Sequence, residues 1–245
     1  MSLSSGAPRP AEITRPMLAW FLYMIDRVGP KGLDKTVLDC GAGGATPPLA
    51  HFAERGYDCH GIDISEAQIE RAEAYAIEHG YDLDLRVGDM RDLPYPDEAF
   101  SYVYELESIC HLTKADTRRA LEEMARVLKR GGLLFAHFMS TQFWPLTGEE
   151  VAPGEYAGDE AGAPVVHSYF EDDEVDALFA DHDVVWKEKR FTYFPLRTRE
   201  VDLEGWMEWY DPKSTHFPTE ADWRRAFEER ERYCYVAWEL IARKT

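Results

Sequence analysis

From Ala11 to Val28 apolar side chains recur at the spacing of one helix face, through Ile13, Met17, Trp20, Phe21, Met24 and Ile25, and Gly29-Pro30 stops the run. The rhythm then changes. Short apolar runs at 36–40 (TVLDC), 58–64 (DCHGIDI), 83–87 (LDLRV), 100–106 (FSYVYEL) and 132–138 (GLLFAHF) alternate with amphipathic stretches near 46–55, 65–79 and 113–129. Strand followed by helix, repeated, predicts a parallel sheet covered on both faces. Ser65 before Glu66 predicts an N-cap with a favourable first-turn charge, and Arg130-Gly131-Gly132 predicts the stop before the fifth strand. After Met139 the alternation breaks: 140–168 is rich in Gly, Pro and acids and reads as a long loop or lid rather than part of the sheet. A helix near 171–181, a strand near 183–194, an irregular and helical insertion over 197–230 and a closing strand in RYCYVAWELIARK follow.

Composition narrows the class. At 245 residues, with 45% apolar side chains, the chain is long enough to bury a core without disulfide or metal staples. Its 46 acidic against 27 basic residues give a formal net charge of -19, a field that repels phosphate backbones, and no basic patch offsets it. Nucleic acid is therefore not expected as a partner. Cys40, Cys59, Cys110 and Cys234 form no C-x-x-C pair, so buried free thiols are expected and a metal site is not. Residues 1–10 read as a loose tail, and neither a leader-like apolar segment nor a run of about 18 apolar residues is present, which predicts a cytoplasmic chain with no membrane partner.

The chemistry concentrates after the first strand. In VLDCGAGGATPP, Asp39 ends an apolar run and the chain turns through Gly41, Gly43 and Gly44 toward a helix start at Thr46-Pro47. Asp63 closes the second strand about twenty residues later, where a carboxylate accepts from ribose hydroxyls. Together they point to an adenosine nucleoside. The dinucleotide pattern G-x-G-x-x-G fails at Thr46, whereas the acid before the turn suits a positively charged ligand with an amino-acid tail and no phosphates, as in S-adenosylmethionine.

Over about residues 35–139 the chain resembles the class I S-adenosylmethionine-dependent methyltransferases, in particular the small-molecule, type 11-like group. VLDCGAGG resembles their first motif, GIDIS the second, VGDMRDLPYPDEAFSYVYE the third, and EMARVLKRGGLLFAHF the stretch around the fifth strand. The resemblance implies that Gly41 and Gly43 bring the backbone under the methionine part and that Asp39 helps hold its ammonium group. Asp63 would clamp the ribose, Ile64 and Met90 would sandwich the adenine, and Asp89 would fix its amino edge, with Glu105 also among the cofactor residues. Ala45 stands where a third glycine is frequent.

On the acceptor side, Glu105 to Leu112 (ELESICHL) resembles the E-S-x-x-H-(M/L) stretch of tocopherol-type methyltransferases. Glu107 and His111 would then lie at the carboxyl end of the sheet, where open α/β folds place ligands. His111 reads either as a base for the acceptor or as a helix-flanking histidine. Glu107 orients substrate or the methionine amine, or is a solvated or capping carboxylate, and His137 is a third candidate for the pocket. Trp206, Trp209 and Tyr210 form either an aromatic cage or the buried face of a helix. No Asn/Asp-Pro-Pro-aromatic or Pro-Cys motif of base methylation occurs after the fourth strand.

The expected architecture is a Rossmann-like three-layer α/β sandwich with a mostly parallel seven-stranded sheet, its last strand antiparallel as the resemblance implies. A single domain is expected: 1–34 tail and helix, 35–139 cofactor-binding core, and insertions 140–170 and 197–230 covering the acceptor site. The expected reaction is in-line methyl transfer to an O, N or C atom of a small molecule, leaving S-adenosylhomocysteine; a homodimer is compatible with it. A non-catalytic nucleoside-binding protein and a nicotinamide-dependent oxidoreductase are the rival readings.

Overall fold

The computed structural model describes residues 16–143, 148–160, 163–193 and 234–245, with isolated positions 146, 219, 221 and 224. Trp206, Trp209, Tyr210 and nearly all of the 197–230 insertion lie outside the described residues.

Helix α1 (Pro16–Val28) precedes strand β1 (Thr36–Cys40), a short α2 (Ala50–Ala53), β2 (Asp58–Asp63), α3 (Glu66–His79), β3 (Asp84–Val87) and β4 (Phe100–Tyr104). A 3-10 turn (Ile109–His111), α4 (Lys114–Val127) and the long β5 (Leu128–Ser140) follow. β1 pairs in parallel with β2 and β4, β2 with β3, and β4 with β5. The period of two sorts the strand residues between the faces. Leu38, Cys40, Val103, Leu134 and Ala136 pack with Ala120, Leu121 and Met124 of α4, while Val37, Tyr102, Tyr104, Leu133 and Phe135 pack with Leu18, Phe21 and Ile25 of α1. A sheet buried on both faces by helices is the expected three-layer sandwich.

Strand β10 (Cys234–Arg243) runs antiparallel beside β5, and β9 (Asp183–Tyr193) pairs antiparallel with β10. The main body thus has seven strands in the order β3-β2-β1-β4-β5-β10-β9. An all-parallel dinucleotide fold would place β9 directly on β5; the reversed β10 between them departs from it.

Four expectations change. α4 ends at Val127 and β5 begins at Leu128, so Arg130-Gly131-Gly132 lies inside the strand instead of stopping the helix before it. Residues 140–168 do not form a loop: β6 (Glu149–Ala152), β7 (Glu155–Glu160) and β8 (Ala163–Phe170) make an antiparallel meander. Its period was hidden because Glu149, Glu150, Glu155 and Asp159 load both strand faces with acids, and Gly154, at φ 72, supplies the left-handed turn. The helix expected near 46–55 shrinks to Ala50–Ala53, because Pro47 and Pro48 have no N–H to donate. Ser65 occupies the N-cap of α3 without a side-chain cap bond; its own N–H goes to Asp63.

The meander is attached where the sheet ends. β4 pairs with β5 only as far as Tyr104 opposite Phe135, and β8 joins β5 at Met139 and Ser140. Since β10 occupies the other edge of Met139, β8 takes the edge that β4 has left. It stands at the carboxyl end of β4. A helix α5 (Asp172–Leu178), opened by a Glu171–Glu174 capping box, leads from β8 to β9.

Candidate active site

The chain leaves β1 through a turn that only small residues can make. The N–H groups of Gly41 and Ala42 both donate to the carbonyl of Ile62, each at 2.8 Å, which ties the turn to the end of β2. Gly41 has φ 120, and a Cβ there would overlap the hydroxyl of Ser108. A Cβ on Gly43 would overlap the Asp63 carboxylate and the Gln68 side chain. Asp63 faces this turn: Oδ2 accepts from the Gly43 N–H at 3.1 Å and Oδ1 from the Ser65 N–H at 2.8 Å. The glycine bend and the second-strand carboxylate therefore share one cleft.

Beside Asp63, Ile64 is 70% exposed, an apolar surface left open at the cleft rim. Val87, opposite Asp63 on β3, is 54% exposed, and Met90 is partly buried against the α4-side core. Asp89 is held by Arg91, whose Nε lies 2.9 and 3.0 Å from its two oxygens and whose second guanidinium nitrogen lies 2.6 Å from Oδ2. Arg91 is itself braced by Asp116 of α4 at 2.9 Å. This guanidinium holds the Asp89 carboxyl below the usual carboxylate range, so it is an ionised acceptor at neutral pH. Asp39 is buried under the turn and accepts from the Tyr104 hydroxyl at 2.5 Å.

Glu105 departs from its expected place among the cofactor residues. Fully buried, it accepts from the His137 N–H at 2.5 Å through Oε1 and from the Ser108 and Ile109 N–H groups at 3.3 and 3.1 Å through Oε2. Both oxygens are engaged by the chain itself, so Glu105 clamps the 108–109 turn onto β5. Burial pushes its carboxyl up to about 7 against the pull of those three N–H groups.

Two residues on, Glu107 is exposed with φ 59, a left-handed backbone that costs a non-glycine residue about 1 kcal/mol or more. The kink swings the chain from the sheet into the 3-10 turn carrying His111. The His111 ring meets His167 of β8 edge-on at 5.2 Å, and the Ser168 hydroxyl donates to the Leu112 carbonyl at 2.5 Å. The Lys114 N–H donates to Glu155 at 2.7 Å, and its ammonium binds Glu174. The meander is thus fastened to the 107–114 segment. His137, the third expected catalytic residue, is fully buried, and burial followed by the nearby Arg190 pushes it down to about 4. So weak a base does not carry a proton near neutral pH.

Ser108, Arg91 and His167 escaped the sequence reading. Arg91, two residues after an acid, was the readable one; His167 needed the alternation of β8 to be seen first. Among the described residues no helix is long and apolar enough to cross a membrane, and no group of three or more His, Cys, Asp or Glu could hold a metal ion.

Residues 38–136 match the family model of a methyltransferase domain. A probable tocopherol O-methyltransferase of Oryza sativa subsp. japonica is 39% identical over 101 residues, covering 40% of this chain and 27% of that protein. A 27-O-demethylrifamycin SV methyltransferase of Amycolatopsis mediterranei is 38% identical over 102 residues, covering 40% of this chain and 36% of that protein. The chain thus spans well under half the length of these curated relatives. An S-adenosylmethionine-dependent methyltransferase of Methanosarcina mazei shares the fold with a TM-score of 0.61 at 19% identity, over 90% of this chain and 96% of that one. The strand order and the glycine cleft agree with that match: residues 38–136 resemble a methyltransferase domain, within a fold shared with the solved methyltransferase structure.

Proposed function

We propose that the protein is an S-adenosylmethionine-dependent methyltransferase that transfers the methyl group to a small molecule and releases S-adenosylhomocysteine. The observation that carries the reading is the cleft in which the Gly43 N–H lies 3.1 Å from the Asp63 carboxylate, with exposed Ile64 beside it. A bent backbone without side chains, a side-chain carboxyl acceptor at the ribose position and an apolar face for a ring fit the parts of that nucleoside. The residues that would hold it are Asp39, Gly41 and Gly43 at the amino-acid end, Asp63 at the ribose, and Ile64, Met90 and Asp89 at the base. When bound, the cofactor supplies an electrophilic methyl on a sulfonium.

What the chain adds is orientation and exclusion of water. The Glu105 clamp fixes the 108–109 turn against Gly41, and Glu107 and His111 sit on the segment next to it. His111 is the group offered to an acceptor proton, its ring steadied by His167. The β6–β8 meander covers this side. A small acceptor is supported by the net charge of -19 and by relatives named for tocopherol and a rifamycin as substrates. The free buried thiols Cys40, Cys59 and Cys110 fit a reducing cytoplasm.

Isothermal calorimetry with S-adenosylhomocysteine tests the cofactor assignment. Wild type binds it and Asp63→Ala loses measurable binding while keeping its circular dichroism spectrum. Equal affinity in the two proteins removes the ribose assignment, and no binding by wild type removes the methyltransferase reading.

A further inference from the structure

Beyond the cofactor cleft, the α1 face of the sheet carries a buried polar group that the reading above does not use. Glu239 on β10 lies opposite His137 of β5 and Glu188 of β9. Only 1% of Glu239 is exposed. Its Oε1 pairs with Arg190 at 3.1 Å, whose other nitrogen is 3.6 Å from Glu188. Its Oε2 is buried with no hydrogen-bond partner among the described residues. A buried carboxylate oxygen left without a donor is costly, and native structures keep few of them without a reason.

The position gives the reason. In register, Phe135 follows Tyr104 and Asp39 across the sheet, and His137 and Glu239 form the next row toward the carboxyl end. α1 runs with its last residues at the opposite end, where the Val28 carbonyl accepts from Arg243 at 3.2 Å, and Trp20 meets Trp186 one row below Glu188. A strand step of two residues is about 6.6 Å and a helix residue rises about 1.5 Å, so the Glu239 row stands level with the first turn of α1. That is the ligand-bearing end of the sheet, one row beyond the strand that delivers Asp39 to the cofactor cleft.

The chemistry of the group selects its occupant. Glu239 and Glu188 oppose a single guanidinium, an excess of one negative charge that the partial positive charge of a helix start, about half a unit, does not cancel. A hydrogen-bond donor that also brings positive charge completes it. We propose that Glu239 anchors a protonated amino group of the methyl acceptor, Oε2 accepting from the ammonium while Oε1 stays with Arg190. This rests on the methyltransferase reading and narrows its substrate class to amine-bearing molecules. The ammonium is the anchor and not the methylated atom, because a protonated nitrogen has no lone pair with which to attack; the nucleophile is another group of the same molecule. The raised carboxyl of Glu239, pushed up to about 7 chiefly by burial, fits a group that awaits a counter-ion.

The test uses the full chain saturated with S-adenosylhomocysteine and ligand pairs that differ only in ammonium against hydroxyl: tyramine against tyrosol, and histamine against 4-(2-hydroxyethyl)imidazole. Thermal shift and calorimetry should show each amine binding about tenfold or more tightly than its alcohol. Glu239→Gln should erase that preference and leave the affinity for S-adenosylhomocysteine unchanged, which also certifies that the variant is folded. Pairs that bind equally or not at all, or a Glu239→Gln protein that keeps the preference, overturn the proposal. The wild-type comparison stands without any variant. Failure of S-adenosylhomocysteine to bind counts against the methyltransferase reading instead, and the amine comparison can then be run on the protein alone.

Discussion

Glu105→Gln isolates the clamp under the 108–109 turn. In the folded protein burial raises the Glu105 carboxyl from 4.5 to about 7, so the fold holds its proton more tightly than the unfolded chain does. Stability from this group is fully present below about pH 4.5 and is lost as pH rises through about 7. A shift of that size corresponds to about 3 kcal/mol at 1.36 kcal/mol per unit. The substituted amide does not titrate, but its NH2 cannot accept from the N–H groups of Ser108, Ile109 or His137 as a carboxyl oxygen does, so the variant carries a cost that does not change with pH. The variant should therefore start below the wild type in acid, and the wild type should lose about 2–3 kcal/mol relative to it as the pH reaches about 8. Urea unfolding followed by tryptophan fluorescence from about pH 4.5 to about 8 reads the difference directly, with all other titrations cancelling between the proteins. Parallel profiles, or a wild type that gains on the variant with rising pH, refute the reasoning.

Arg91→Ala should lower affinity for S-adenosylhomocysteine by about tenfold, because Asp89 loses the guanidinium that aims it. It should also shrink the preference over S-inosylhomocysteine, whose base has an acceptor in place of the amino group; calorimetry showing wild-type discrimination would release Arg91 from this role. His111→Ala should cut turnover by about 10²-fold or more with little change in cofactor affinity, and His167→Ala should produce a smaller loss with a shifted pH–rate profile. An unaltered rate in His111→Ala at saturating acceptor removes the base.

The meeting of the glycine turn with the second-strand carboxylate was legible because it is local. Gly41, Gly43 and Asp63 follow two consecutive strands, and the parallel pairing of β1 with β2 brings their ends together without any other decision. Helix and strand bounds in this region also matched closely, apart from α2, where Pro47 and Pro48 override the amphipathic pattern. The meander was not legible. Its acids mimic a solvated loop, and its place beyond β4 depends on a pairing between Met139 and Tyr169 that no short-range pattern announces.

Glu105 and Glu107 show the limit most sharply, since ELES presents them as equivalent carboxylates at a strand end. What separates them is backbone. Glu105 still follows the strand, its N–H donating to Phe135, so its side chain is carried into the interior, where three N–H groups await an acceptor. Glu107 adopts a left-handed conformation, and the chain turns outward there with the side chain exposed. The donors that bury Glu105 come partly from β5, so its fate is decided about thirty residues later in the chain. Glu239 follows the same logic with the opposite result: β9 and β5 deliver it one cationic partner and no donor for its second oxygen, and what that oxygen can accept is set by strands distant in sequence. The glycine cleft is therefore written along the chain, while the surroundings of the buried carboxylates are written across the sheet.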